Sequence, residues 1–232
     1  MIKIENISVA YSDAKNALTD FSCMFEKGKS YALFGANGAG KSTLLKALLG
    51  IVPINSGKAT IDDFEISSKN LRYIRQKIGL VFQNSDDQLF SANVEDDLNF
   101  GLLNMELSQT EVEKTSSTYA EKFNITHLLK RSPQRLSEGE KKRVCICSVI
   151  AMHPSVLLLD EPTAQLDPRG KREIAEILKS LNQTLIMATH DISFAEKICE
   201  NCLILKEGSL AFAGTIESAL KNEKLLYECG LA

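Results

Sequence analysis

The chain has 232 residues, 44% of them hydrophobic and 25% charged, with 27 Lys and Arg against 30 Asp and Glu and a formal net charge of -3. That is ordinary globular composition, long enough for a large core in one domain with an inserted lobe or in two domains. It offers no strongly basic field to hold a nucleic-acid backbone, so no nucleic-acid partner is expected.

Residues 2–34 and 57–66 hold short β-like segments between turn signals (Glu26-Lys-Gly28, Asn55-Ser-Gly57) without long helices, which predicts a small antiparallel sheet. Its first residues are too few and too charged for the apolar part of a signal peptide. Tyr31 to Phe34 is a continuous apolar run of the kind that suits a strand covered on both faces in a parallel sheet. Leu44, Leu45, Leu48 and Leu49 then stripe a helix ending at Gly50, and Ile78 to Phe82 is a further apolar run. From about 85 to 150 no strand is predicted; Glu111 to Phe123 and Glu140 to Met152 are the main helices of an inserted lobe. Val144 to Ala151, the longest membrane-like stretch, falls short of the roughly 20 residues that span a bilayer and reads as a buried helix. The chain is therefore expected to be soluble.

Val156 to Leu159 is the next strand, and Asp167 caps a helix with Pro168 at its first position and Ile174, Ile177, Leu178 and Leu181 on one face. Strands follow at Leu185 to Ala188 and Cys202 to Leu205, then the hairpin-like Gly208 to Gly214 and a short helix. Alternating strand and helix predict an α/β sandwich. Cys199 and Cys202 form a C-x-x-C without a second pair. Across a helix end and an apolar strand they read as small buried hydrophobes rather than as a metal or redox pair. A reducing, cytoplasmic compartment is expected.

The chemistry concentrates at two strand ends. Gly35-Ala36-Asn37-Gly38-Ala39-Gly40-Lys41-Ser42-Thr43 matches G-x-x-x-x-G-K-[ST], between the strand ending at Phe34 and the Leu-striped helix. Glycines let the backbone curl so that successive N–H groups face phosphate oxygens, and the helix N terminus adds a partial positive charge. Lys41 would bring a full charge to the β- and γ-phosphates of ATP, and the Ser42 hydroxyl can ligate Mg²⁺. Val156-Leu-Leu-Leu159 runs straight into Asp160-Glu161. Charges at a buried strand end are costly unless used. Asp160 is expected to face Mg²⁺ directly or through water, and Glu161 to polarise a water aimed at the γ-phosphate.

These motifs, with Leu136-Ser137-Glu138-Gly139-Glu140-Lys-Lys-Arg143, resemble the ATP-binding-cassette (ABC) family, whose signature is usually written L-S-G-G-Q. Gln83 follows the strand ending in Phe82, Ala164-Gln-Leu-Asp167 follows Glu161, His190 follows Leu185 to Ala188, and Tyr11 sits where the family has its adenine-stacking aromatic. The resemblance covers the whole chain. It implies one domain over residues 1–232: a P-loop NTPase core, a mostly parallel sheet flanked by helices, with a small antiparallel β subdomain and an α-helical subdomain inserted at about 85–150. Ser137-x-x-Glu140 is also a capping box, which leaves free N–H groups at a helix N terminus. In the family that helix reaches the γ-phosphate held by a second ATPase chain, so Ser137, Gly139 and Glu140 would act in trans. His190 would contact the γ-phosphate and hold the attacking water, Gln83 would reach magnesium or water, and Asp167 would serve communication across the dimer. Glu138 departs from the signature's glycine; with Ser137 and Gly139 kept the site is expected to work, the extra carboxylate counting only against closure on ATP.

Val81-Phe-Gln-Asn-Ser-Asp-Asp-Gln-Leu-Phe90, followed by Asn93-Val-Glu-Asp-Asp97 and Asn99-Phe-Gly101, resembles the ATPases of energy-coupling-factor importers and the related cobalt or nickel importers. The resemblance implies an importer motor, a homo- or heterodimer held at the cytoplasmic side of the cell membrane by an integral membrane subunit. The segment would line the groove that receives a helix of that subunit. Its acidic residues otherwise read as a solvated surface beside a helix start. The competing classes are a soluble ABC ATPase acting on ribosomes or DNA, which usually brings tandem cassettes or basic extensions, and an unrelated P-loop kinase or GTPase, which would lack the signature.

Overall fold

The computed structural model describes residues 1–11 and 16–231, so the part of the 2–34 reading that falls on residues 12–15 lies outside it. Strand β1 (Ile2–Ala10) pairs antiparallel with β2 (Asn16–Phe25). The chain then enters β3 (Ser30–Phe34) and α1 (Lys41–Leu48), and returns through β4 (Ser56–Ile61), antiparallel to β1, and the two-residue β5 (Phe64–Glu65). The order β2-β1-β4-β5 is the antiparallel sheet. Residues 30–34 belong instead to the second sheet, as their continuous apolarity requires: Tyr31 and Leu33 face one core, Ala32 and Phe34 the other.

Helix α2 (Leu71–Lys77) runs into β6 (Ile78–Val81). Between β6 and β7 (Val156–Asp160) the described chain forms helices α3 (Val94–Leu103), α4 (Gln109–Lys122) and α5 (Glu138–Ile150) and no strand, the helical run expected between about 85 and 150. Helix α6 (Pro168–Lys179), β8 (Thr184–Ala188), the single-turn α7 (Ile192–Ala195) and β9 (Asn201–Lys206) follow. They lead to β10 (Ser209–Thr215), α8 (Ile216–Leu220) and α9 (Glu223–Glu228). Asp167 caps α6 as its sequence predicts, accepting from the Gly170 N–H at 2.7 Å, with Pro168 in the first turn.

The second sheet has the order β10-β9-β3-β8-β7-β6, parallel except for β10. Its strands other than the edge strand β10, whose residues are exposed or half-buried, are buried on both faces. Val156, Leu158, Ile186, Ala188, Leu203 and Leu205 join a core shared with α1 and the antiparallel sheet. Leu157, Leu159, Leu185, Met187, Cys202 and Ile204 join a core shared with α5, α6 and the helical lobe. Period-two alternation under a uniformly apolar sequence is what a two-sided sheet demands. The carboxyl ends of β3, β6, β7 and β8 all open on one edge, where parallel α/β sheets bind ligands. No helix among the described residues is long and apolar enough to cross a membrane.

Candidate nucleotide site

Strand β3 delivers the phosphate loop at this edge. Gly35 has φ 146°, and a Cβ there would lie 2.4 Å from the Leu205 carbonyl oxygen, so only glycine fits against β9. A Cβ at Gly38 would meet nothing within 4 Å, because that part of the loop faces open space. Lys41 is buried, with Nζ donating to the carbonyls of Gly35 at 2.6 Å and Ala36 at 3.2 Å. Burial pushes its pKa below the usual lysine range, while the carboxylates of Glu161 and Asp160 push it back up. Tyr11, half exposed, brings its hydroxyl to 3.3 Å from the Thr43 Oγ1.

Asp160 ends β7, and its Oδ1 accepts from the Ser42 Oγ at 3.0 Å. A hydroxyl and a carboxylate in contact, facing the loop that bears Lys41, form a hard-oxygen donor pair suited to Mg²⁺. Burial raises the Asp160 pKa, offset by the Ser42 hydrogen bond. Glu161 turns away from the strand with φ 44°, and its N–H donates to the Ala188 carbonyl at 2.8 Å. Its Oε2 sits 2.9 Å from the His190 Nδ1. Glu161 is buried and His190 mostly exposed, so the imidazole lies at the mouth of the site with the carboxylate behind it. Asn37 to Thr43, Gln83, Glu161 and His190 line one cavity of about 340 Å³. A cleft of about 400 Å³ at the other end of α1 is lined by Ile51, Val52, Pro53 and Ile54 and has none of these groups.

Ser137, Gly139, Glu140 and Asp167 line a different cavity of about 510 Å³, with Arg143. The capping box is present: the Ser137 Oγ accepts from the Glu140 N–H at 3.3 Å, and the Glu140 Oε2 accepts from the Ser137 N–H at 2.8 Å. A Cβ at Gly139 would meet nothing within 4 Å, leaving the first turn of α5 open to an approaching group. Glu138, the departure from the signature, is paired by Lys141 Nζ at 3.0 Å, which lowers the repulsion expected from it. The site residues thus form two separate groups within one chain.

A family model described as ABC transporter matches residues 18–164. The chain belongs to the ABC transporter family. A putative ABC transporter ATP-binding protein of Archaeoglobus fulgidus is 44% identical over 100% of this chain and 97% of its own length. The energy-coupling factor transporter ATP-binding protein EcfA1 of Mycoplasmopsis pulmonis is 39% identical over 97% of this chain and 87% of its own. Among solved structures, cbiO1 of Clostridium perfringens, part of the ABC transporter complex cbiONQ, superposes with a TM-score of 0.84 at 37% identity, covering 99% of this chain and 94% of that one. A dimeric ATP-binding cassette in a post-hydrolysis state, bound to ADP and Pi, superposes with a TM-score of 0.84 at 26% identity, covering 93% and 99%. This ABC protein is accordingly an ATP-binding and ATP-hydrolysing transporter subunit.

The ABC cassette also contains site features that motif reading passed over. Lys142 is buried and donates to the carbonyls of Phe82 at 3.0 Å and Gln83 at 2.9 Å. Lys141 bridges Glu138 and Asp86. Asp97 is not part of a solvated acidic surface: its buried Oδ1 accepts from the N–H groups of Phe90 and Ser91, each at 3.1 Å. The signal for Lys142 was its phase, since it shares a helix face with Cys145, Ile146 and Val149. A run of charges at a helix start otherwise reads as exposed. Cys199 and Cys202 are both buried, and burial pushes their thiols up to about 12 and about 11. A groove of about 530 Å³ lies between α2 and α3, lined by Arg72, Arg75, Phe100, Met105 and Met152; the exposed ring of Phe90 stacks edge-on against Phe100 at 5.0 Å.

Proposed function

We propose that this subunit is the motor of an energy-coupling-factor type importer for a vitamin or for a transition metal such as cobalt or nickel. The similarity to EcfA1 and cbiO1 over nearly the whole chain supports that reading. The whole chain, 1–232, acts as one ATP-binding domain, its helical part serving as a subdomain. Its location is the cytoplasmic side of the membrane, bound through an integral membrane subunit. The groove beside Phe100 is the docking surface for a helix of that subunit. No nucleic acid takes part.

Two chains, alike or different, bind two ATP molecules between them. Tyr11 stacks on adenine, and residues 35–43 wrap the phosphates, with Lys41 compensating their charge. Mg²⁺ would be held by Ser42, Asp160 and Gln83, and it supplies neutralisation of the phosphate charge. Glu161 takes a proton from the attacking water, and His190, whose Nδ1 lies 2.9 Å from the Glu161 Oε2, holds that water towards the γ-phosphate. Ser137 and Gly139 of the second chain meet the same γ-phosphate at the N terminus of α5, with Glu140 fixing the cap. Asp167, beside that cap in the same cavity, carries the state of one site to the other.

The observation that carries the chemistry is the Glu161–His190 contact of 2.9 Å inside the cavity that also contains Lys41. Glu161→Gln should lower the hydrolysis rate by about 100-fold or more while ATP still binds, because the amide cannot accept the water's proton. Steady-state phosphate release with nucleotide binding on the same preparation checks this; a fully active variant would remove Glu161 from the role of base. For the transport assignment, a hydrophobic membrane partner should co-purify from detergent extracts, whereas sedimentation with ribosomes would overturn it.

A further inference from the structure

The segment carrying Gln83 is fastened to α5 rather than to the sheet it leaves. Beyond Val81, the carbonyls of Phe82 and Gln83 both accept from the Lys142 Nζ, at 3.0 and 2.9 Å. The Phe82 N–H donates to the Gln88 Oε1 at 3.2 Å, and the Gln88 Nε2 donates to the Cys145 carbonyl at 2.9 Å. Asp86 accepts from Lys141 at 2.8 Å. Every one of these bonds runs, directly or through Gln88, to α5. Lys142 is only 2% exposed. A buried ammonium is unfavourable unless its protons are used, and here carbonyl oxygens at the base of Gln83 use them. Burial pushes its pKa down, and the nearby carboxylates of Glu138 and Asp160 push it up. Ser137 caps the same helix, about 7.5 Å along the axis at five residues of helical rise.

We infer that Lys142 is a positioning residue that ties Gln83 to the signature helix, so that the reach of Gln83 towards metal or water in its own chain moves with Ser137, which meets the nucleotide of the second chain. A displacement of α5 is thereby transmitted to the Gln83 backbone through two hydrogen bonds from one side chain. The inference rests on the proposed role of Gln83.

The test is a double-mutant cycle on the full chain, reading steady-state ATP hydrolysis. Lys142→Met, of similar length and without donors, should lower kcat about 10-fold and leave KM within about twofold, as for an interaction felt in the reaction rather than in binding. Lys142→Gln, whose amide can still donate, should stay within about threefold of the parent kcat. Gln83→Ala should also slow hydrolysis about 10-fold, and adding Lys142→Met to it should change kcat by less than about twofold, because both act through one contact. Multiplicative losses, or a Lys142→Met enzyme with unaltered kcat, overturn the role of Lys142 and leave that of Gln83 standing. A fully active Gln83→Ala enzyme overturns the role of Gln83, and the inference with it. Should Lys142→Met not fold, Lys142→Ala, which leaves room for water at the two carbonyls, takes its place in the cycle.

Discussion

At the scale of single residues, the site holds charged side chains whose burial opposes their ionised form, Lys41 and Asp160 among them. Asp160 is an example: burial raises its pKa, and the Ser42 hydrogen bond offsets only part of that. An acid whose folded pKa is raised destabilises the fold when ionised, and the penalty fades as pH falls through the raised value. Asp160→Asn should therefore raise the midpoint of thermal unfolding by about 2–4 °C at pH 7.5, for a gain on the order of 1 kcal/mol. The gain should shrink on acidification, as the parent carboxyl becomes neutral too, and hydrolysis should fall sharply at every pH. Calorimetry across the acidic to neutral range checks the sign. A variant less stable than the parent at pH 7.5 would show that Ser42 and the neighbouring lysines outweigh burial.

At the scale of elements, identical local chemistry serves different ends. Ser108 and Glu111 cap α4 with the same reciprocal box that Ser137 and Glu140 make on α5. Either serine replaced by alanine should cost about 1 kcal/mol of stability. Only Ser137→Ala should also slow ATP hydrolysis, since its cap lines the cavity shared with Asp167 and Arg143. Equal activity in the two variants would reduce the signature serine to a cap. This pair also marks what sequence could and could not reveal. Phosphate loop, paired carboxylates and strand runs were legible because glycine, charge and continuous apolarity each have few structural meanings. The burial of Asp97 was not, because it depends on how the 82–97 segment folds back on α5, and the inward phase of Lys142 was masked by the run of charges around it. The placement of Tyr31 to Phe34 lay between these: its apolarity pointed to the parallel sheet while its neighbours pointed to the antiparallel one.

At the scale of the whole molecule, the two groups of site residues occupy different cavities of one chain, so neither group alone surrounds a nucleotide. In the proposed dimer each complete site takes Lys41 from one chain and Ser137 from the other. Lys41→Ala and Ser137→Ala proteins, each nearly inactive, should regain up to about a quarter of the parent rate when mixed in equal amounts. Half of randomly formed dimers would be mixed, each with one intact site of two. Mixing without any recovery would indicate that each chain works alone.

The turn between β9 and β10 has a consequence for anyone attaching probes to this protein. Glu207 and Gly208 both have positive φ, 48° and 81°, the signature of a tight type I′ hairpin. The Gly208 N–H donates to the Ala39 carbonyl at 3.1 Å, and its carbonyl accepts from the Thr19 N–H at 2.9 Å. Glu207 is exposed and would tempt the placing of a tag or a fluorophore, but Gly208 beside it is buried. The turn is in fact the strut between the nucleotide loop, at Ala39, and β2, at Thr19. An insertion there would be felt at the phosphates, whereas a dye on the exposed Tyr227 side of α9 would leave that strut intact.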